Sequence, residues 1–379
     1  MDFKFLLAVS TLVGTIVGVG FFGLPYVISK IGFFPGILYL FFLALVYLYL
    51  HLLFSEIILR TKEKRRLPGF AQKYLGNFAK KVLFFSSVVG ISLTLICYII
   101  AGGNFLSILT KLPIFLSAFI LWAFFSIAIA LGLKTISQIE FFMMILFSLA
   151  IFFIFFGALP KIKLENLAGF YPKNLLLPFG VILFSMAGTA GIPTIREILS
   201  GKEKKLKKAI IWGTLIPAFF YAIFAFSVVG VSGKATSQEA IEGLVSRLGK
   251  GIIFLGAIFG IMTITTSYLS LGIYLSDILF YDFKVRKFIG LAYVTSVGAL
   301  GIVLGKDYLI PLMGLSGTVL SAFEAIILIL IAKKAKIKGE REPEYQIPTP
   351  NCLFFFLIFI FFVGFVYQIY LLLSYILKL

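Results

Sequence analysis

The residues whose spacing could do chemistry in this chain are helix breakers. Residues 14–25 read GTIVGVGFFGLP, with four glycines and a proline. Residues 184–199 read FSMAGTAGIPTIREIL, with Gly188, Gly191 and Pro193. Both stretches lie inside apolar runs long enough to cross a bilayer, where glycine and proline weaken or break a helix. Backbone that leaves the helix at that depth exposes N–H and C=O groups. In hydrocarbon they must be paired by protein, water or a ligand. Second half-helices beginning at Pro25 and Pro193 would present free amides and partial positive charge, which attract a carboxylate. The freed carbonyls, including those near Phe184 to Met186, would attract an ammonium group or a small cation. A zwitterion has both ends served, so an amino acid fits two such breaks without any buried charged side chain.

Titratable side chains are few in the apolar runs, and acids there are functional candidates by default. Glu324 lies well inside one run and reads as a proton relay or gate, with a structural hydrogen bond as the competing reading. Glu56, Glu140 and Asp277 fall nearer the cytoplasmic ends, where water, Arg or Lys can satisfy them. His51, the single histidine, reads as a packed or interfacial residue. Cys97 and Cys352 have no evident partner and no metal-ligand spacing. With no nucleophile–base constellation and no phosphate loop, the chain does not read as an enzyme and implies no cofactor.

The elements that must hold these residues follow from composition. Of 379 residues, 61% are hydrophobic and 13% charged, too apolar for a soluble protein of this length. Eleven membrane helices are expected, over about 5–29, 33–58, 83–108, 113–133, 140–159, 175–199, 209–231, 250–279, 288–305, 308–332 and 352–377. The first apolar run is too long for a signal peptide and is taken as the first span. With the N-terminus in the cytoplasm, the inside segments hold 24 of the 34 Lys and Arg. This bias places the N-terminus inside and the C-terminus outside a cell membrane. It also accounts for the net charge of +18 without a nucleic-acid partner. The basic loops can touch anionic lipid of the bilayer. The segment SGKATSQEAIEGLVSRLGK (232–250) is either a short amphipathic helix or a solvated loop.

Gly23-Leu24-Pro25 is echoed by Gly191-Ile192-Pro193. The first lies in span one and the second in span six, so the two copies run in opposite directions. That pattern predicts an inverted repeat of five plus five spans, residues 1–159 and 160–332 of a single transmembrane domain. Residues 333–351 form a cytoplasmic linker, and 352–379 an appended eleventh helix. Proline-kinked helices packed by glycine are the alternative explanation.

The same residues carry a family resemblance. GTIVGVGFFGLP resembles the first-span signature of the amino acid/polyamine/organocation superfamily. CYIIAGGNFL (97–106), VILFSMAGTAGIPTI (181–195) and TITTSYLSLGIYLSDIL (263–279) resemble its third, broken sixth and eighth spans. Within it the chain is most similar to the amino acid/auxin permease branch and the bacterial hydroxy and aromatic amino acid permeases. The resemblance implies an all-α, leucine-transporter-like fold and ion-coupled symport of small neutral or aromatic amino acids by alternating access, as a monomer. It also implies a site. Amides of Val19 and Gly20 would hold the substrate carboxylate, and carbonyls around Ile16, Phe184 and Ser185 its amine. Phe21, Cys97, Tyr98 and Met186 would shape the side-chain pocket, with Gly18, Gly23 and Gly188 in the same constellation. Plain packing is the alternative for Phe21, Tyr98 and Met186, and close helix contact for Gly102 and Gly103.

Sodium-coupled relatives imply an ion site at the carbonyls of Gly14, Val17 and Thr263 and the hydroxyls of Thr266 and Ser267. Those hydroxyls could instead bond to their own helix. Some proton-coupled relatives place a lysine in span five, and this chain has none between 141 and 159. The permeases it most resembles are proton-coupled, so the coupling ion is H⁺ or Na⁺. The rival from another class is a transporter-like receptor, as in germinant receptors, that binds an amino acid without moving it.

Overall fold

The computed structural model describes residues 2–131, 137–240 and 250–377. The disputed stretch 241–249 therefore lies outside the described residues. Fourteen α-helices are described, with no strand among these residues. They are α1 (Phe3–Ile16), α2 (Gly20–Ile31), α3 (Phe33–Arg60), α4 (Leu67–Leu75), α5 (Asn77–Thr110), α6 (Ile114–Ala130) and α7 (Ser137–Ala158). After these come α8 (Leu177–Met186), α9 (Ile192–Ile198), α10 (Leu206–Ser232), α11 (Lys250–Asp277), α12 (Lys287–Val303), α13 (Leu309–Lys338) and α14 (Asn351–Leu377).

Eight helical segments among the described residues are long and apolar enough to cross a bilayer, and the bent pair α1–α2 supplies a ninth. The helices α6 and α12 are apolar but have 17 residues each, about 25 Å of rise. Large apolar side chains point outward from the bundle, such as Phe119, Phe153, Val303 and Phe359, as lipid-facing surfaces require.

Two helices are interrupted. The pair α1 and α2 bends by 59° at Val17 to Val19. Pro25 does not open the second half-helix, as its position suggested; α2 starts at Gly20 and carries Pro25 inside it. The glycines set this break through close approach. A Cβ on Gly18 would stand 2.6 Å from the Tyr98 hydroxyl, and one on Gly20 would stand 2.8 Å from the Ser185 Cα. The second break separates α8 from α9 through a single 3₁₀ turn, Thr189–Gly191. Here Pro193 does fall in the first turn of the following helix, where its missing N–H costs no hydrogen bond.

The half-helices sort into two layers. On one side α2 packs against α8, and on the other α1 packs against α9, while α10 touches both layers. The unbroken α5 and α13 pack together, α11 lies on α5, and α13 also contacts α8. That last contact is close because Gly180 faces the Gly314 backbone and Gly317 faces the Gly180 backbone. A Cβ on either would clash with a main-chain atom of the opposite helix.

The polar ends are tied down locally. Asp2 caps α1 and pairs with Lys202 and Lys205, whose ammonium groups hold its carboxyl well below the usual range. The linker after α13 folds back over the end of α3. Buried Glu56 accepts from Arg60 Nε at 2.9 Å and from the Ile347 amide at 2.7 Å, and Glu340 accepts from the Lys62 amide at 2.8 Å. Glu340 also pairs with Lys73, which holds its carboxyl below the usual range.

Gly180→Ala and Gly317→Ala should each destabilise the protein by about 1–3 kcal/mol, because the added methyl meets backbone that cannot rotate away. Thermal unfolding in detergent checks this, with Gly305→Ala as the control: nothing lies within 4 Å of a Cβ built there, so its midpoint should match the parent's.

Candidate functional site

The unwound main chain is met by side chains from the surrounding helices. Ile16 ends α1 and Ser185 lies in the last turn of α8, so both carbonyls belong to the unpaired, partly negative end of a helix. Buried Tyr221 on α10 donates to both, at 3.2 Å to Ile16 and 3.0 Å to Ser185. Ser267 Oγ on α11 donates to the Val17 carbonyl at 3.1 Å. The Tyr98 hydroxyl meets Ser267 beside Gly18. Within the breaks, short turns join the Phe21 amide to Gly18 (3.3 Å), the Phe22 amide to Val19 (3.0 Å) and the Gly191 amide to Gly188 (3.0 Å). Val19 and Gly20 stand at the N-terminus of α2, where first-turn amides lack intrahelical partners.

A cavity of about 60 Å³ opens at this junction. Its walls include Ile16, Gly18, Gly20, Tyr98, Phe184 and Glu324. Toward α4 lies a wider hollow of about 810 Å³ with Arg65, Arg66, Arg196, Glu197 and Asp277 on its rim. Toward α2 the junction is sealed by aromatic rings. Phe21 stacks on Phe224 at 3.9 Å and meets Phe22, Phe147 and Phe259 edge-on, while Phe147 stacks on Phe259 at 4.9 Å.

The proposed substrate residues thus fall into two groups. Ile16, Gly18, Gly20, Tyr98 and Phe184 line the cavity. Val19, Phe21, Cys97, Ser185 and Met186 are buried behind its wall, Phe21 within the aromatic seal. Gly23 lies against Ile310 and Met313, and Gly188 against Ile16 and His51. Gly103 packs on Ala118 and Gly102 on Leu121, a close helix contact.

At the implied ion residues, Thr263 Oγ1 donates to the Gly260 carbonyl and Thr266 Oγ1 to the Thr263 carbonyl, both at 3.0 Å and both within α11. Ser267 of this set reaches across to the Val17 carbonyl at the first break, while Gly14 packs against the Glu140 side chain. No group of three or more His, Cys, Asp or Glu able to hold a metal occurs among the described residues.

Several polar residues gain meaning only from the fold. Glu140, expected nearer a cytoplasmic end where water, Arg or Lys could satisfy it, is buried on α7 against α1. The Glu324 carboxyl has an oxygen without a partner among the described residues, and Thr189 of the second break faces it. His51 is fully buried, with Nδ1 3.0 Å from Thr214 Oγ1 and its ring edge beside Gly188. Its neighbour Tyr47 bonds Ser321 at 2.5 Å. Tyr221 carries no sequence signal that separates it from the other 16 tyrosines.

By sequence, the chain matches the tryptophan/tyrosine permease family over residues 1–370. No curated protein sequence matches it. By structure it is similar to a protein solved as MhsT in complex with L-phenylalanine, with 15% identity, 97% of this chain and 98% of that chain covered, and a TM-score of 0.69. At that identity the likeness speaks to the fold, a leucine-transporter-like arrangement in which the first and sixth spans are interrupted. The full-length match settles the lineage: the chain belongs to the tryptophan/tyrosine permease family.

Proposed function

We propose that this permease imports small neutral or aromatic amino acids across the cell membrane by alternating access, as an ion-coupled symporter. The observation that carries the reading is the convergence of two interrupted helices on one cavity, with Ile16, Gly18, Gly20 and Phe184 in its wall. The amides of Val19 and Gly20 hold the carboxylate, and carbonyls around Ile16, Phe184 and Ser185 hold the amine. Tyr98 borders the substrate side chain, and Phe21, Cys97 and Met186 form the layer behind it. A family defined on tryptophan and tyrosine, and a structural relative solved with L-phenylalanine, favour an aromatic substrate.

The reading extends to topology. Residues 1–159 and 160–332 form the inverted repeats, α6 and α12 cross the membrane with the longer helices, and α14 is the appended eleventh span. The N-terminus is cytoplasmic and the C-terminus outside. The hollow beside α4 then faces the cytoplasm, and the aromatic seal faces outward. The protein acts as a monomer.

For coupling, H⁺ with Glu324 as relay is the first reading. The Thr263 and Thr266 hydroxyls are turned to their own helix, whereas Glu324 borders the cavity with an unpartnered oxygen. Sodium held by Gly14, Val17, Thr263, Thr266 and Ser267 is the second, favoured by the bond from Ser267 to Val17.

In proteoliposomes, labelled phenylalanine, tyrosine or tryptophan should exchange against unlabelled amino acid on the far side. Binding without exchange across a full amino acid panel would make the protein a receptor and end the transport reading.

Glu324→Gln should cut accumulation driven by a proton gradient about tenfold or more, a loss worth at least about 1.4 kcal/mol, while leaving exchange nearly intact. The double change Thr266→Ala, Ser267→Ala separates the ions: an unaltered proton-driven uptake supports H⁺, and the disappearance of a sodium requirement supports Na⁺.

A further inference from the structure

Tyr221 lies outside the residues that the functional reading uses, yet its hydroxyl sits at the centre of the junction. Two carbonyls from the negative ends of two half-helices, Ile16 and Ser185, converge on that one oxygen at 3.2 and 3.0 Å. A phenol has a single hydrogen, so the two carbonyls share it. Carbonyls at the ends of interrupted membrane helices, brought together in this way, ordinarily hold a cation. Here the point of convergence is filled by a neutral donor anchored on a third helix, α10. The Tyr221 side chain is fully buried, its ring tilted against Phe21 at 5.8 Å, and it does not border the cavity.

We propose that Tyr221 is a built-in substitute for a cation between the two breaks, closing that position to coupling ions and presetting the Ile16 and Ser185 carbonyls for the substrate amine. It is a positioning residue, acting through main-chain oxygens. The charge arithmetic favours this arrangement for a site meant to bind an ammonium group. A metal ion between the same carbonyls would repel the amine at short range, whereas a hydroxyl pairs the carbonyls and adds no charge. Each carbonyl oxygen keeps a second lone pair for the amine. The inference rests on the reading of the breaks as the amino acid site.

The test uses the full chain in detergent and three proteins. In Tyr221→Phe the ring still fills the space but the donor is gone, so amino acid affinity should fall about tenfold and stay low in sodium. In Tyr221→Asn the shorter side chain leaves room and supplies an oxygen ligand. There NaCl, but not KCl or choline chloride, should raise the unfolding midpoint without any amino acid present, by more than in the parent, and should restore part of the lost affinity. An increase no larger than the parent's in folded Tyr221→Asn overturns the proposal, as does parental affinity in Tyr221→Phe. Should Tyr221→Asn fail to fold, Tyr221→Ser takes its place and the Tyr221→Phe affinity remains decisive. Because the sodium shift is read without amino acid, it stays interpretable even if the parent protein binds none, an outcome that would sink the site reading instead.

Discussion

A main chain that stops being a helix inside a membrane must find partners for its amides and carbonyls, and in this permease that requirement organises the bundle. In water the solvent would supply them; in hydrocarbon only protein, trapped water or a ligand can. The donors come from helices that stay whole. Tyr221 of α10 serves Ile16 and Ser185, and Ser267 of α11 serves Val17 with Tyr98 of α5 alongside. The unbroken helices are therefore more than a frame: α10 and α11 each bring a hydroxyl to carbonyls of the breaks, which lowers the cost of leaving the helix there. The groups at the N-terminus of α2 and along the cavity wall are the ones the proposed function assigns to the ligand.

Glycine does two separable jobs around this junction. At Gly18 and Gly20 it admits a neighbouring side chain or main chain against the unwound segment, which sets the distance between the two breaks. At Gly180 and Gly317 it lets two intact helical surfaces, α8 and α13, press together. The second job matters to the first. Glu324 sits on α13, and only a close α8–α13 contact brings that helix to the second break, where Thr189 faces the carboxyl. Packing between glycines thus places Glu324, an acid that borders the cavity.

This division explains what could be read from the sequence. Helix breakers at membrane depth announce where the backbone leaves the helix, and both interruptions fall within the stretches that GTIVGVGFFGLP and FSMAGTAGIPTI mark. Pro193 opens its half-helix as a first-turn proline should, but Pro25 does not, because the first break is placed by what touches Gly18 and Gly20. Which donor reaches which carbonyl was illegible. Tyr221 and Ile16 are 205 residues apart, and Ser267 and Val17 are 250 apart, so no local pattern can pair them. Thr263 and Thr266 could point across the bundle or back along α11, and the spacing serves both equally. Glu140 shows the same limit: its place near a cytoplasmic end suggested water, Arg or Lys as partners, and the packing of α7 on α1 encloses it instead.

The two sides of the cavity are closed by unlike forces, and this bears on how the proposed alternating access would run. Toward α2 the seal is apolar, with Phe21, Phe22, Phe147, Phe224 and Phe259 interlocked and buried. Each ring pair adds about 0.5–1.5 kcal/mol beyond its buried area, and opening exposes the rings together, so the barrier is cooperative. Toward α4 the contacts are polar and partly exposed, such as Arg66 with Asp277 at 3.5 Å and Lys64 with Glu197 at 3.1 Å. Such pairs are typically worth about 0–1 kcal/mol, since water replaces what is lost when they part. The α4 side therefore opens at little cost, while the α2 side opens only if something offsets the separation of its rings. On the proposed reading, an aromatic substrate would suit that role, because its own ring would replace contacts that Phe21 would give up if α2 moved away from α10. A substrate of that kind would act on the gate as well as fill the site, which links the choice of amino acid to the conformational step itself.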